Sequence, residues 1–150
     1  MWRKGVYLTV ITFSVFGRKH SGKTTMCQEL VNVLSKKGTV GYEKRTHTTI
    51  KLDQHLQMAH QTLWSVVRDS ENLQLITTKA SVNLPPVHFL VVEGYIPDVP
   101  NILCVKDPYD LETITPFTLA AVSLSGIPNT KRTDELKNVI NSYLERQKGE

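Results

Sequence analysis

Residues 17–24 read Gly-Arg-Lys-His-Ser-Gly-Lys-Thr, directly after an apolar run and directly before an amphipathic one. This order constrains the fold more than anything else in the chain. Gly17 and Gly22 let the backbone curl so that successive N–H groups face an anion seated on the N-terminus of the following helix. Lys23 is then placed to reach β- and γ-phosphates, and the Thr24 hydroxyl to meet a Mg²⁺ that bridges two phosphates and keeps part of its water shell. His20, Ser21 and Thr25 add polar groups to the same segment.

The pattern G-x-x-x-x-G-K-[ST] fixes only half of its positions, so its surroundings decide between a phosphate loop and an ordinary glycine turn. Residues 6–16, Val-Tyr-Leu-Thr-Val-Ile-Thr-Phe-Ser-Val-Phe, are rich in β-branched and aromatic side chains, as in a strand buried on both faces. Beyond the loop, Met26, Leu30, Val33 and Leu34 recur on one helical face, and Lys36, Lys37 and Gly38 supply a helix end. Strand, loop and helix in that order predict a nucleotide-binding P-loop.

A length of 150 residues with 40% hydrophobic content suits one domain with a sizeable core, and a second domain is not expected. The formal charge of +4 suits phosphate-bearing ligands and falls short of what a nucleic-acid-binding surface needs, so no nucleic-acid partner is expected. Cys27 and Cys104 are far apart and form no C-x-x-C pair; they read as reduced thiols in or near the core, and the expected location is cytoplasmic. Arg3 and Lys4 before an apolar stretch superficially resemble a signal peptide. The stretch has no small-residue cleavage pattern before Gly17 and is short for a membrane span, so it is taken as the first core strand, with no membrane partner.

Residues 39–46 read as a second strand entering a polar loop, Arg45-Thr-His-Thr-Thr49, whose side chains can face the phosphates. Residues 52–68 are ambiguous in period. Leu63, Val66 and Val67 suit a strand, residues 69–72 a turn and residues 73–77 its partner, which makes a hairpin. Residues 88–92 are a short apolar run ending in Glu93-Gly94, the pattern of a buried parallel strand that delivers an acid at its C-terminal end, where open α/β sheets bind ligands. Residues 102–105 and 119–124 read as two further short strands. Leu136, Val139, Ile140, Tyr143 and Leu144 make a closing amphipathic helix, with Asp134 and Glu135 suited to its N-terminal dipole. The expected fold is α/β: a P-loop NTPase-type, doubly wound, mostly parallel sheet flanked by helices, with a small antiparallel hairpin.

Glu93 is the candidate to order a magnesium-bound or attacking water, against the alternative of a loop cap, and Gly94 beside it allows close backbone approach to a terminal phosphate. Thr24 and Glu93 are thus the candidate metal-side residues, and Lys23 and Glu93 the candidate catalytic pair. His55, His60 and His88 show no metal-ligand spacing and read as surface or core histidines.

Three blocks resemble the molybdopterin-guanine dinucleotide biosynthesis adapter proteins, the MobB family of P-loop proteins. Phe16-Gly-Arg-Lys-His-Ser-Gly-Lys-Thr-Thr25 is similar to the family's loop, in which Ser-Gly-Lys-Thr-Thr follows a strand. Lys44-Arg-Thr-His-Thr-Thr-Ile-Lys-Leu-Asp53 is similar to its Lys-His-Thr-His-His segment with a trailing acid, although Arg45 and Thr48 stand where histidines are common. Leu90-Val-Val-Glu-Gly-Tyr95 matches its Leu-Val-Glu-Gly-Phe/Tyr block. The resemblance implies a GTP-binding, weakly hydrolysing adapter, homodimeric, that assists attachment of a guanine nucleotide to molybdopterin beside a MobA-type molybdopterin guanylyltransferase. It also implies that Lys44, Thr46, His47 and Asp53 lie near the nucleotide or along the path of the molybdopterin-bearing partner. By their residues alone these positions equally suit a solvated connection.

Guanine follows from the resemblance only, because no Asn-Lys-x-Asp base-reading signature is present. Lys106-Asp107 and Thr130-Lys131 are the nearest candidates for a base edge, and surface charge is the simpler reading for both. Two other classes stay open: a small-molecule kinase on the same phosphate cradle, and a switch or binding module whose nucleotide sets shape or partner affinity. With no arginine finger or water-positioning glutamine assignable, the expected turnover is at most that of a slow Mg²⁺-dependent GTPase.

Overall fold

The apolar segment ahead of the glycine loop forms the middle strand of a sheet. In the computed structural model, which describes residues 9–46, 58, 61, 62, 65–77 and 83–149, strand β1 runs Ile11–Phe16 and is flanked on both edges. It begins at Ile11 rather than at residue 6 because the ladder opposite starts at Phe89, and residues 9 and 10 are exposed. Residues 6–8 lie outside the described residues. The chain divides into two units, 1–45 with 86–150, and 46–85.

In the larger unit, β1 is followed by α1 (Lys23–Ser35), β2 (Val40–Lys44), β5 (Phe89–Glu93), β6 (Asn101–Cys104), β7 (Thr118–Val122) and α2 (Leu136–Lys148). The sheet order is β2-β5-β1-β6-β7, and every pairing in it is parallel. Strands buried on both faces carry continuous apolar runs, as Phe89–Glu93 and Asn101–Cys104 do. Met26, Leu30 and Leu34 of α1 share one core with Phe13 and Val15 of β1 and with Leu136 and Ile140 of α2. The chain lays β5 on one side of β1 and β6 on the other. This reversal opens a crevice at the carboxyl ends of those strands, where the glycine loop begins.

Smaller differences from the sequence reading have local causes. Asn101 joins β6 through pairing with Ser14 and Thr118, whereas Val105 leaves the strand while its N–H still bonds Val122 O at 2.8 Å. The last strand stops at Val122 because the Ser123 hydroxyl turns to accept from Ile127 N at 2.9 Å. Asp134 and Glu135 sit in a short 3-10 turn ahead of α2. A 3-10 helix at Pro108–Thr113 has a reciprocal cap between Asp107 and Asp110 with proline at its start, the local signature Asp-Pro-x-Asp.

The smaller unit contains an antiparallel hairpin, β3 (Ser65–Arg68) with β4 (Leu73–Ile76). Its turn is set by Asp69, whose carboxylate accepts from the N–H groups of Glu71 at 2.7 Å and Asn72 at 2.6 Å. These bonds hold the Asp69 carboxyl below its usual range. The architecture is a P-loop NTPase-type parallel sheet with helices and a separate small antiparallel pair. Among the described residues no helix is long and apolar enough to cross a membrane.

Candidate functional site

The chain leaves β1 at Phe16 and must turn at once into α1. At Gly17, φ is +155°, and a Cβ there would stand 2.5 Å from the Cys104 carbonyl oxygen and 2.7 Å from Ser21 Oγ. At Gly22, φ is +93°, a left-handed conformation that side-chain-bearing residues avoid. Both glycines are therefore required by the path of the loop. Gly22 caps α1 without a side-chain hydrogen bond, and the first turn carries no acidic residue of its own, so the helix supplies no carboxylate to the positive end of its dipole.

Lys23 folds back over the loop, donating from Nζ to Gly17 O at 2.9 Å and to Arg18 O at 3.3 Å. Ser21 is buried, and its Oγ has no hydrogen-bond partner among the described residues. An orphaned hydroxyl inside a glycine loop is a polar group awaiting a partner. His20 is exposed at φ 62°, and Thr25 is exposed on the first turn of α1.

Glu93 closes the site from β5. The parallel register aligns it with Val15 of β1 on one side and Lys44 of β2 on the other. Its side chain is 4% exposed. Burial of a carboxylate is tolerated only with partners: Glu93 Oε1 accepts from the Thr24 hydroxyl at 2.7 Å, and Oε2 lies 3.4 Å from Lys44 Nζ. The next residue is held as well, since Gly94 N bonds Val15 O at 2.9 Å and Gly94 O accepts from the buried Ser14 hydroxyl. Thus Lys23, Thr24, Glu93, Gly94 and Lys44, drawn from three separate stretches of chain, meet at one end of the sheet.

The sequence reading did not anticipate the partner of Arg18. Its guanidinium makes a forked pair with Asp110, Nε to Oδ1 at 2.7 Å and Nη2 to Oδ2 at 3.3 Å. Asp110 Oδ2 also accepts from the N–H groups of Lys106 and Asp107, each at 2.9 Å. The Arg18 hydrogen bond, with these backbone donors, holds the Asp110 carboxyl below its usual range. The glycine loop is thereby tied to the loop after β6. The Asp-Pro-x-Asp cap was readable in sequence, but the long-range arginine was not.

Of the base-edge candidates, Asp107 spends its carboxylate on Tyr109 N at 3.0 Å. Thr130 Oγ1 lies 2.7 Å from Ser123 Oγ in the turn after β7, Lys131 bridges to Val122 through its backbone, and Lys106 is exposed. His88 Nδ1 accepts from Thr39 N at 2.8 Å, a local tie at the start of β2. Burial pushes the thiols of Cys27 and Cys104 up to about 12, so both are neutral, free cysteines. Thr46 is exposed and belongs to the smaller unit. His47, Asp53, His55 and His60 lie outside the described residues.

The sequence matches no family model and no curated protein. Solved structures do match. The molybdopterin-guanine biosynthesis protein B (mobB) is 19% identical at a TM-score of 0.66, covering 89% of this chain and 99% of that one. MobB of Bacillus subtilis is 19% identical at a TM-score of 0.60, covering 90% and 96%. The MobB protein homolog from Bacillus stearothermophilus is 19% identical at a TM-score of 0.56, covering 91% and 98%. The chain is similar to these proteins along nearly their whole length, and the likeness is one of fold.

Proposed function

We propose that this protein, whose fold is MobB-like, binds Mg-GTP at the glycine loop and serves molybdenum cofactor biosynthesis as an adapter with slow hydrolysis at most. The observation that carries the nucleotide reading is the hydrogen bond from Thr24 to the buried Glu93, which sets a hydroxyl and a carboxylate side by side at the mouth of the loop.

The residues present suit the group. The glycine cradle, the uncapped helix start and the unpartnered Ser21 hydroxyl all favour an anion. Among the described residues no set of three or more His, Cys, Asp or Glu is grouped to hold a metal. A hydroxyl and one carboxylate suit Mg²⁺, which takes its remaining oxygens from phosphates and water. Held by Thr24 and Glu93, the metal would supply neutralisation of phosphate charge. Lys23 would exchange its two carbonyl partners for phosphate oxygens, Ser21 would gain an acceptor, and Glu93 would orient Thr24 and metal-bound water. Lys44 would add a second positive charge at the terminal phosphate.

Slow turnover rests on the absence of an assignable arginine finger or water-positioning glutamine in the sequence, and it is in keeping with Arg18 of the loop being engaged by Asp110. Guanine as the base, a homodimer and a MobA-type transferase with molybdopterin as partners rest on the three similar sequence blocks beside a MobB-like fold, and a cytoplasmic location on the two free, buried cysteines. Calorimetric titration with GTP and with ATP in Mg²⁺, beside Lys23→Ala, tests the reading. Binding of GTP in preference to ATP, lost in the variant, is expected. Preference for ATP would overturn the guanine assignment, and equal affinity in the variant would overturn the site.

A further inference from the structure

Ser14 sits between Phe13 and Val15 in the middle strand of the sheet and is fully buried. Its two neighbours face the core shared with α1 and α2, so alternation turns the serine to the opposite face. A hydroxyl there is costly unless it is hydrogen-bonded. The connection from β5 to β6, residues 94–100, passes over this face, because the two strands flank β1. Crossovers between parallel strands usually take about a dozen or more residues and carry a helix. This one is shorter and has no helix, so its backbone polar groups must find partners outside the connection.

Ser14 provides one on each side. Its hydroxyl donates to Gly94 O and accepts from Ile96 N at 3.2 Å, so both bonds go to the turn that directly follows Glu93. On the same face, Phe16 meets the ring of Tyr95 edge to face, with centroids 5.1 Å apart. The strand ladder ends at this point: Glu93 O accepts from Arg45 N at 3.1 Å, and Gly94 N donates to Val15 O at 2.9 Å. Gly94 itself has φ +153°, and glycine has the most backbone freedom to lose. Without the serine hydroxyl, the Gly94 carbonyl and the Ile96 N–H lose a buried partner and turn towards water. That movement pulls on the last rung of the ladder, and with it on the residue whose carboxylate meets Thr24 at 2.7 Å.

We propose that Ser14 is a positioning residue for the metal side of the glycine loop: through Gly94 and Ile96 it sets where β5 ends, and so holds the Glu93 carboxylate against Thr24. Ser14 itself touches neither nucleotide nor metal, since its side chain points to the face of the sheet away from α1. The inference rests on the nucleotide reading for what the held carboxylate does.

The test compares the full chain with Ser14→Ala and with Ser14→Thr, which keeps the hydroxyl on a residue suited to a strand. Affinity for a non-hydrolysable GTP analogue is measured by calorimetry in Mg²⁺ and in EDTA. Ser14→Ala should bind about fivefold more weakly in Mg²⁺, the size of one hydrogen bond, and equally well in EDTA, while Ser14→Thr retains the parent's affinity in both. In a Glu93→Gln background Ser14→Ala should cost nothing further, because the two act through one carboxylate. A loss of stability alone would not move the ratio between the buffers. No loss in Mg²⁺, an equal loss in both buffers, equal weakening in Ser14→Thr, or full additivity with Glu93→Gln overturns the assignment. Amide hydrogen exchange reads the hold without nucleotide: Gly94 and Ile96 should exchange about tenfold faster in Ser14→Ala, and unchanged exchange overturns it. Absence of analogue binding by the parent chain would sink the nucleotide reading instead, with exchange still deciding whether Ser14 holds the turn. Should Ser14→Ala not fold, Ser14→Cys, a weaker donor, carries the same comparisons.

Discussion

Thr24, in the first turn of α1, donates its hydroxyl hydrogen to Oε1 of Glu93 at the end of β5, across 2.7 Å. The bond joins the helix that follows the loop to the strand beside β1, and the other carboxylate oxygen of Glu93 meets Lys44. A buried acid shared between a hydroxyl and an ammonium is stable in that form. It also has the composition needed to organise a cation between itself and a phosphate.

Glu93→Gln keeps the size of the side chain and an acceptor for Thr24 while removing its charge. The expected outcome is a folded protein whose nucleotide affinity in Mg²⁺ falls by about tenfold and whose affinity in EDTA is unchanged. Calorimetry in the two buffers checks this, and an equal loss in both would mean that Glu93 acts on the loop's shape rather than through a metal.

The two loop glycines should respond differently to alanine. At Gly22 the new Cβ meets Cδ1 of Leu124, the end of an exposed side chain that can move away, so the cost is the left-handed backbone alone, about 1–2 kcal/mol. At Gly17 the obstacle is the carbonyl oxygen of Cys104, fixed in the sheet, and the loss should be about twice as large. Urea unfolding ranks them. Recovery of most of the Gly22→Ala loss by a second change, Leu124→Ala, would show that collision and not backbone conformation dominates there.

Asp110 makes the protein acid-sensitive. Its folded-state pKa lies below the unfolded value of about 3.9. The stability it contributes is therefore present above that value and is lost as pH falls through the lower, folded one. Asp110→Asn should be less stable than the parent at pH 7, with the difference shrinking in unfolding curves below about pH 4. A gap that stays constant down to pH 2 would show that the Arg18 fork contributes nothing through its charge.

Cys27 and Cys104 should be silent towards a thiol reagent in the folded protein. With both thiols pushed up to about 12 by burial, the reactive thiolate is scarce at pH 8 and out of reach. Two equivalents should react promptly in denaturant and only at the opening rate without it. Rapid native labelling of one equivalent would place a cysteine at the surface.

The helix α1 was readable because the period of Met26, Leu30, Val33 and Leu34 needs only residues within a few turns of one another. The hairpin was readable in part: Asp69 signals its turn locally, whereas residues 52–64 carry no clean period. The short helix at Pro108–Thr113 went unread even though its capping signature is local.

What the sequence by itself determined is local chemistry: a glycine loop between strand and helix, with a lysine and a threonine in order, and an acid at the end of an apolar run. Backbone sterics, helical period and alternation act over a few residues, so they leave their mark in the order of amino acids. The tertiary structure alone decided that β5 lies beside β1, so that Glu93 falls between Val15 and Lys44 and reaches Thr24. It also decided that Arg18 meets Asp110, and that Ser14 reaches the turn after Glu93. These partners come from distant segments. Parallel pairing is set by burial of whole strands against a shared core, and no single stretch of sequence encodes which strand will be its neighbour.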